Sequence, residues 1–275
     1  TKREIDEMEA HDVAVGMILQ LAKDPDRDIT EVFIRQLNEI ILVKPFFKDA
    51  VTPEGQPTRK RIEPGVYKSE PNHVKLQNGE IFRYATPEET PAQMAELLQF
   101  YRSNMVSTDV HPLWLAAMLH YKFVRIHPFD DGNGRISRLL MNFVLLKKGF
   151  PPVVIKSEDK KGYLKALRQA DAGDLESFVI YVGQQLQWSL DLNIRAAKGE
   201  DIDDPDDLVK SIEILKKKLG PDMASTEGSN RVIYEILRDS IGPVLTAFEE
   251  AGEKLADLFG AVERNINYST ANGRY

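Results

Sequence analysis

The segment at residues 126–140 constrains this chain more than any other. It reads I-H-P-F-D-D-G-N-G-R-I-S-R-L-L, in which a histidine, two acids and a Gly-Asn-Gly turn precede two arginines. The mainly apolar run at 139–150 predicts a buried helix. A helix that begins at such a turn directs free N–H groups and the positive end of its dipole towards it. The segment therefore predicts an anion site built on a turn and a helix N-terminus.

The residue types of this segment suit a phosphate group. Gly132 and Gly134 let the backbone turn and expose its N–H groups. Arg135 and Arg138 lie about one helical turn apart, so that both can reach an anion. Asp131 offers the hard oxygen ligand that Mg²⁺ prefers when it bridges phosphates. On these residues alone, a packed helix end followed by an ordinary surface turn remains an alternative.

His127 is the candidate base of the segment. Histidine is the side chain whose usual pKa suits proton abstraction near neutral pH. A histidine at a helix end that bonds only to backbone is the alternative. His120 lies seven positions earlier without carboxylates at metal-binding spacing, so we expect no zinc site, and His11, His73 and His111 look incidental.

Bulk composition excludes several classes of function. The chain has 275 residues, 42% of them hydrophobic, with a net charge of −7. An acidic balance argues against broad binding to nucleic acid or anionic membranes. Cysteine is absent, which removes disulfides, thiolate zinc sites and a cysteine nucleophile. No apolar run reaches the length of a membrane span and no signal peptide is visible, so we expect a cytoplasmic protein with no membrane contact.

Helical periodicity dominates the chain up to residue 197. Residues 44–65, rich in Pro, Gly and basic side chains, are expected to be irregular. A hairpin is expected around the Asn-Gly pair at 78–79, which lies between short alternating segments. Asp109 is the expected N-cap of the helix before the motif. We expect helices at 4–22, from about 30 to 44, after 87, at 109–125, 135–148, 160–170 and 174–197.

The character of the chain changes after Lys198. An acidic stretch with Pro and Gly predicts a linker, and residues 207–219 and 229–265 have helical periodicity. We therefore divide the chain into an N-terminal helical region at 1–64, a core domain at 65–197, and a linker with a C-terminal helical extension at 198–275.

The motif H-P-F-D-D-G-N-G-R-I-S-R resembles the signature of the Fic family, H-P-F-x-[DE]-G-N-G-R-x-x-R, at every fixed position. The resemblance extends over about 65–192. It implies an all-α, mainly helical Fic-type bundle with one small β-hairpin, the flap, and with helical N- and C-terminal extensions. It also implies transfer of AMP from ATP to a Ser, Thr or Tyr hydroxyl of a target protein.

The resemblance assigns roles residue by residue. It makes His127 the general base and Asp131 the Mg²⁺ ligand. ATP and its phosphates would be bound by Asp131, Gly132, Asn133, Gly134, Arg135, Ile136, Ser137 and Arg138. The adenine pocket would include Tyr163 and Leu164. The flap strand that pairs with the target would include Val74, Lys75, Leu76 and Gln77.

Several alternatives remain open at this stage. In the second interpretation, the same site removes AMP or transfers another nucleotide. In the third, the protein is a catalytically silent nucleotide-binding or interaction module. Many Fic proteins carry an inhibitory pattern [ST]-x-x-x-E-[GN]. Here Thr246 and Glu250 match it by chance only, because Ala251 follows. We expect the inhibitory segment upstream of Thr1 or in an antitoxin-like partner, and a second copy of the chain is another candidate partner. No nucleic-acid partner is asserted.

Overall fold

The structure, a computed structural model, describes residues 2–51, 56–72, 74–75 and 81–202, together with Gly242 and the pairs 269–270 and 273–274. Its helices, in chain order, are α1 (Lys2–Lys23), α2 (Glu31–Leu42), α3 (Thr90–Met105), α4 (Pro112–Ile126), α5 (Asn133–Lys147), α6 (Lys160–Asp171) and α7 (Leu175–Ala197). No helix in the described ranges is long and apolar enough to cross a membrane.

Local capping explains several helix ends. The Thr30 hydroxyl accepts a hydrogen bond of 3.1 Å from the Phe33 N–H and so starts α2. Gly149, with a φ of 79°, ends the segment after α5. The expected cap at Asp109 is wrong. His111 caps α4 instead, where its Nδ1 accepts from the Leu113 N–H at 3.2 Å, because Pro112 is already the first residue of the helix.

Two hairpins precede α3. Strand β1 (Phe46–Val51) pairs antiparallel with β2 (Pro57–Ile62), which contradicts the expectation that 44–65 are irregular. Strand β3 (Val74–Lys75) pairs with β4 (Ile81–Phe82) at the place expected for the flap. Separately, β5 (Ser269–Thr270) pairs with β6 (Gly273–Arg274).

The core lies around α4 and α5. These two helices pack against each other, with α1 against α5 and with α3 and α7 against α4. Helix α5 buries one continuous apolar face that includes Ile136, Leu140, Phe143 and Val144. Burial of this face fixes the position of the helix start, and with it the position of the motif.

The mainly helical fold class is confirmed. Contacts divide the chain into two units, 1–217 and 218–275, each compact in itself. The expected helices at 207–219 and 229–265 lie outside the described residues. The division at 1–64, 65–197 and 198–275 stays a prediction.

Candidate active site

His127 is the residue that follows α4. It has a left-handed backbone, with φ 52° and ψ 57°, and its N–H donates to the Phe123 carbonyl at 3.0 Å. The ring of Tyr84 stacks on the imidazole at a centroid distance of 4.1 Å. His127 as a whole residue is only partly buried. A terminal, partly open position of this kind suits a side chain that exchanges a proton with a substrate.

Burial lowers the pKa of His127 to about 4, and the positive charges of Lys68 and Lys48 act in the same direction. The Val124 backbone and the Asp131 carboxylate oppose this shift. Nδ1 is buried and has no partner of full hydrogen-bond geometry within the described ranges, although Val124 is close enough to influence it. The imidazole is therefore neutral at pH 7 and able to accept a proton.

The turn at Gly132 requires glycine. Its φ is 84°, and a Cβ there would lie 2.9 Å from the Asn38 Nδ2 and 3.0 Å from the Ile41 Cδ1. The Asn38 amide also donates to the Asp131 carbonyl at 2.9 Å. Helix α2 therefore forms the back wall of the turn. The N–H groups of Arg135 and Ile136 both donate to the Gly132 carbonyl at 3.0 Å, and the positive end of the α5 dipole still favours an anion at this turn.

Three motif side chains are engaged within the turn itself. The Asn133 amide bonds to both the N–H and the carbonyl of Phe129, at 3.0 and 2.7 Å. The Ser137 hydroxyl is buried and donates to the Gly134 carbonyl at 3.0 Å, and Ile136 is fully buried in the core. These side chains hold the turn in shape. The Ile136 N–H also donates to the Gly132 carbonyl, at 3.0 Å. A phosphate contact at Asn133, Ile136 or Ser137 stays a prediction.

The first motif arginine already has an acidic partner. Arg135 pairs with the Glu7 carboxylate of α1 at 2.7 Å and also donates to the Ile41 carbonyl at 3.3 Å. Glu7 in turn pairs with Arg3 at 2.6 Å. An incoming anion at Arg135 would have to compete with Glu7.

The second motif arginine differs. Arg138 forms no ion pair with an Asp or Glu in the described part of the chain; its neighbours are His11, His120 and Tyr163. Burial, followed by the charge of Arg138, lowers the pKa of His11 and lowers that of His120 to about 3. A half-buried guanidinium among neutral rings makes this side of the turn positive and suited to an anion.

The two motif aspartates meet two lysines from the unexpected hairpin. Lys48 of β1 lies 3.1 Å from Asp131, and Lys60 of β2 lies 2.7 Å from Asp130. Burial raises the pKa of Asp131, but the hydrogen bonds and charge of Lys48 outweigh it and leave that pKa below its usual value. Asp131 is therefore ionised at neutral pH.

Asp131 fits Mg²⁺ as a single ligand. The described residues contain no group of three or more His, Cys, Asp or Glu that could hold a metal alone. Mg²⁺ is commonly held by one or two carboxylates together with substrate phosphates, so an ionised carboxylate beside an anion-binding turn meets the requirement.

A cavity of about 490 Å³ is lined in part by Tyr84, the residue whose ring stacks on His127. Leu164 lines it, whereas Tyr163 is turned inwards, with its hydroxyl 3.2 Å from the His120 Nε2. The cavity is lined by Phe82, Tyr84, Tyr121, Val124, Arg125, Leu164, Leu167, Arg168 and Asp171. On the flap, Val74 and Lys75 form β3, while Leu76 and Gln77 lie outside the described residues.

Sequence reasoning missed several residues that line or support the site, among them Glu7, His11, Asn38, Lys48 and Lys60. One of them had a readable signal. Asn38 lies among Ile34, Leu37 and Ile41 on the buried face of α2, where a polar side chain needs a partner. The others meet the motif through contacts that are distant in sequence, such as the 83 residues between Lys48 and Asp131.

Comparison with known proteins places this geometry in one family. The model of the Fic/DOC family matches residues 28–145. A Fic domain containing signaling protein from Bacteroides thetaiotaomicron has a solved structure with 44% sequence identity and a TM-score of 0.67, over 74% of this chain and 76% of that chain. Fic-1 from C. elegans superposes with a TM-score of 0.56 at 25% identity, over 72% of this chain and 53% of that one.

Curated relatives carry a functional name. "Protein adenylyltransferase Fic" from Nematostella vectensis is 40% identical over 104 residues, 37% of this chain. This chain spans only 24% of that relative's length. Together with the motif and the fold, these matches show that the chain belongs to the Fic/DOC family.

Proposed function

We propose that the protein transfers AMP from ATP to a hydroxyl group of a target protein. The observation that carries this is one arrangement: a neutral, partly buried His127 just before a helix N-terminus, with the guanidinium of Arg138 on that helix. Among the described residues Arg138 has no Asp or Glu partner and contacts Tyr163. Such a site holds a base and a strong anion site next to each other, which a group transfer to phosphorus needs. The name of the curated relatives supports the same reaction.

In this reaction the target hydroxyl oxygen attacks the α-phosphorus of ATP. The new O–P bond forms as the bond from the α-phosphorus to the bridging oxygen of the β-phosphate breaks, and pyrophosphate leaves. His127 takes the proton of the hydroxyl group. A well-placed base of this kind contributes roughly 10²–10⁴-fold to the rate.

Charge that develops on the phosphate oxygens faces the N–H groups at the start of α5 and the two arginines. Arg138 is available at once, whereas Arg135 must exchange Glu7 for phosphate. Mg²⁺, when bound, supplies positive charge between phosphate groups, and Asp131 is the residue that would hold it. The cavity beside Leu164 is the place for the adenine base.

The target protein is proposed to pair with the flap. Strand β3 forms a two-stranded sheet with β4, so one of its edges can accept an extended peptide. Pairing of this kind reads backbone more than side chains. An inhibitory partner protein and a second copy of the chain remain proposals with no direct contact to support them.

The test is incubation of the purified chain with Mg²⁺ and either α-³²P- or γ-³²P-labelled ATP, in a lysate that supplies targets. Relative to the same lysate without the chain, we expect the chain to add label to protein from the α-position only, and His127→Ala to add none. His111→Asn is the matched control, because it changes another histidine but keeps an N-cap acceptor on α4.

Other results would overturn the proposal. Label from the γ-position would indicate phosphate transfer. Equal α-label with His127→Ala would remove the base from the mechanism. Label from another α-labelled nucleotide, and none from ATP, would keep the site but change the transferred group.

A further inference from the structure

Lys68 is a buried lysine that the proposed chemistry does not use. It is only 3% exposed, and its Nζ donates to the Ile126 carbonyl and to the Asn72 Oδ1, each at 3.0 Å. Burial of an ammonium group is costly unless its donors are used. The Ile126 carbonyl lies at the C-terminal end of α4, where the helix dipole favours a positive charge.

Asn72 extends the same set of contacts. Its amide donates to the His127 carbonyl at 3.2 Å and to the Phe129 carbonyl at 3.0 Å. The backbone N–H of Lys68 donates to the Pro128 carbonyl at 2.9 Å. All four consecutive carbonyls from 126 to 129 thus accept a hydrogen bond from Lys68 or Asn72.

This set of bonds surrounds a strained position. His127 has a left-handed backbone, which costs a residue with a side chain about 1–2 kcal/mol. The peptide plane before His127 is fixed by the bond from Lys68 to the Ile126 carbonyl, and the plane after it by the bond from Asn72 to the His127 carbonyl. Asn72 also lies two residues before β3, so the bonds that fix the His127 backbone begin at the base of the flap.

We propose that Lys68 and Asn72 are positioning residues that hold His127 in its reactive orientation and couple it to the flap strand. The role of the histidine as a base rests on the proposed function above; the contacts do not. Neither residue touches the anion-binding turn at 132–134 in the hydrogen bonds described, so their effect is on the orientation of the ring.

The charge of Lys68 gives this role a specific signature. Among the described residues, four side chains with charge or a titratable group face His127: Lys68, Lys48 from β1, Asp131 from the turn, and the stacked Tyr84. Of the two lysines, Lys68 lowers the pKa of His127 more. Its removal should therefore change how the imidazole titrates.

The first experiment is an NMR titration of the histidine rings in the full chain, with the His127 signal assigned by its loss in His127→Ala. In Lys68→Met we expect the pKa of His127 to rise from about 4 towards its usual value, by about half a unit or more, roughly a threefold change in the protonation equilibrium. Lys68→Arg should leave it unchanged.

Lys147→Met is the matched control. Like Lys68, Lys147 donates its Nζ to two oxygens, here the backbone carbonyls of Asp24 at 2.9 Å and Arg27 at 2.5 Å. It lies at the C-terminal end of α5, the end away from the motif. The variant should lower stability without moving the titration of His127. A shift as large as that of Lys68→Met would show that general loosening, and not Lys68, controls the ring.

The second experiment uses Asn72→Ala, which removes the bonds to two of the four carbonyls and the Oδ1 acceptor of Lys68, but no charge. We expect kcat to fall about tenfold or more, since small misplacements of a reacting group are costly, while KM for ATP stays within about twofold. An unchanged kcat would overturn the positioning role, as would an unshifted His127 in Lys68→Met. If Lys68→Met does not fold, Asn72→Ala decides the question. The wild type could fail to transfer AMP while Lys68→Met still shifts the pKa of His127. That result would reject the proposed function but not the effect of Lys68 on the ring.

Discussion

Gly132→Ala tests the geometry of the turn most directly. The left-handed φ of 84° costs an alanine about 1–2 kcal/mol. The new methyl group would meet the Asn38 amide at 2.9 Å and Ile41 at 3.0 Å, so Asn38 must move away from the Asp131 carbonyl. Loss of that bond adds about 1 kcal/mol. The free energy of unfolding should therefore fall by roughly 2–3 kcal/mol.

Gly149→Ala is the matched control. Gly149 has nearly the same backbone, with φ 79°, but an added Cβ meets nothing within 4 Å. It should lose only the backbone contribution of about 1–2 kcal/mol. Urea unfolding of both variants, followed by circular dichroism, measures the difference, and a change in the slope would flag an altered denatured state.

The difference in the free energy of unfolding between the two variants measures the contact of the turn with Asn38 and Ile41 of α2. Equal destabilisation would refute the argument that Asn38 and Ile41 press against the turn. ATP binding by Gly132→Ala should also weaken, because the same displacement disturbs the start of α5, whereas Gly149→Ala should bind normally.

Three further predictions follow from the charges around the site. Folding lowers the pKa values of His127 and His120 to about 4 and about 3, so the unfolded chain binds more protons below about pH 6.5. As the pH is lowered from 6.5, the free energy of unfolding should decrease by up to about 1.4 kcal/mol per pH unit for each ring. A flat profile between pH 6.5 and 5 would show that the rings are hydrated. Glu7→Gln should bind ATP up to about fivefold more tightly, because phosphate no longer competes with the Glu7 carboxylate for Arg135 and such an ion pair is worth about 1 kcal/mol or less. Calorimetry measures the affinity, and an unchanged value would remove Arg135 from the nucleotide site. Lys48→Met frees the Asp131 carboxylate and should lower the Mg²⁺ concentration needed for half-maximal ATP binding. The Lys48–Asp131 pair is partly exposed, so the decrease should be at most about fivefold. An increase would show that Lys48 itself contributes to nucleotide binding.

Much of the helical framework was predictable from the sequence because its signals are local. Thr30 caps α2 and Gly149 ends the segment after α5, as expected from residue type alone. Helix α4 begins three residues later than expected. Asp109 is the better cap by residue type, but Pro112 is favoured at the first position of a helix and places the cap at His111. The flap hairpin was found because Asn-Gly favours a tight turn.

The β1–β2 hairpin was missed because its strands carry no alternating pattern. Phe47 and Val51 are exposed, and basic side chains interrupt both strands. Its function in the fold is long-range: Lys48 and Lys60 meet the aspartates of the motif. Contacts of this kind depend on how the chain folds back, which residue order alone does not specify.

The motif residues were found, but not how their side chains are used. Asn133 and Ser137 look like phosphate ligands in sequence, whereas their side chains bond to Phe129 and Gly134 inside the turn. The environment of Arg138 was equally invisible, because His11 comes from the first helix and His120 from the fourth. The residue types predicted an anion site, and packing determines which groups remain free to form it.

The position of α1 and α2 bears on where this fold can be cut. Asn38 joins both Asp131 and Gly65 through its amide, and Glu7 reaches Arg135 across the start of α5. A fragment that begins at residue 65 would retain every letter of the motif but lose the side chains behind its turn. Truncation or domain exchange that keeps the site working must carry α1 and α2 with the motif.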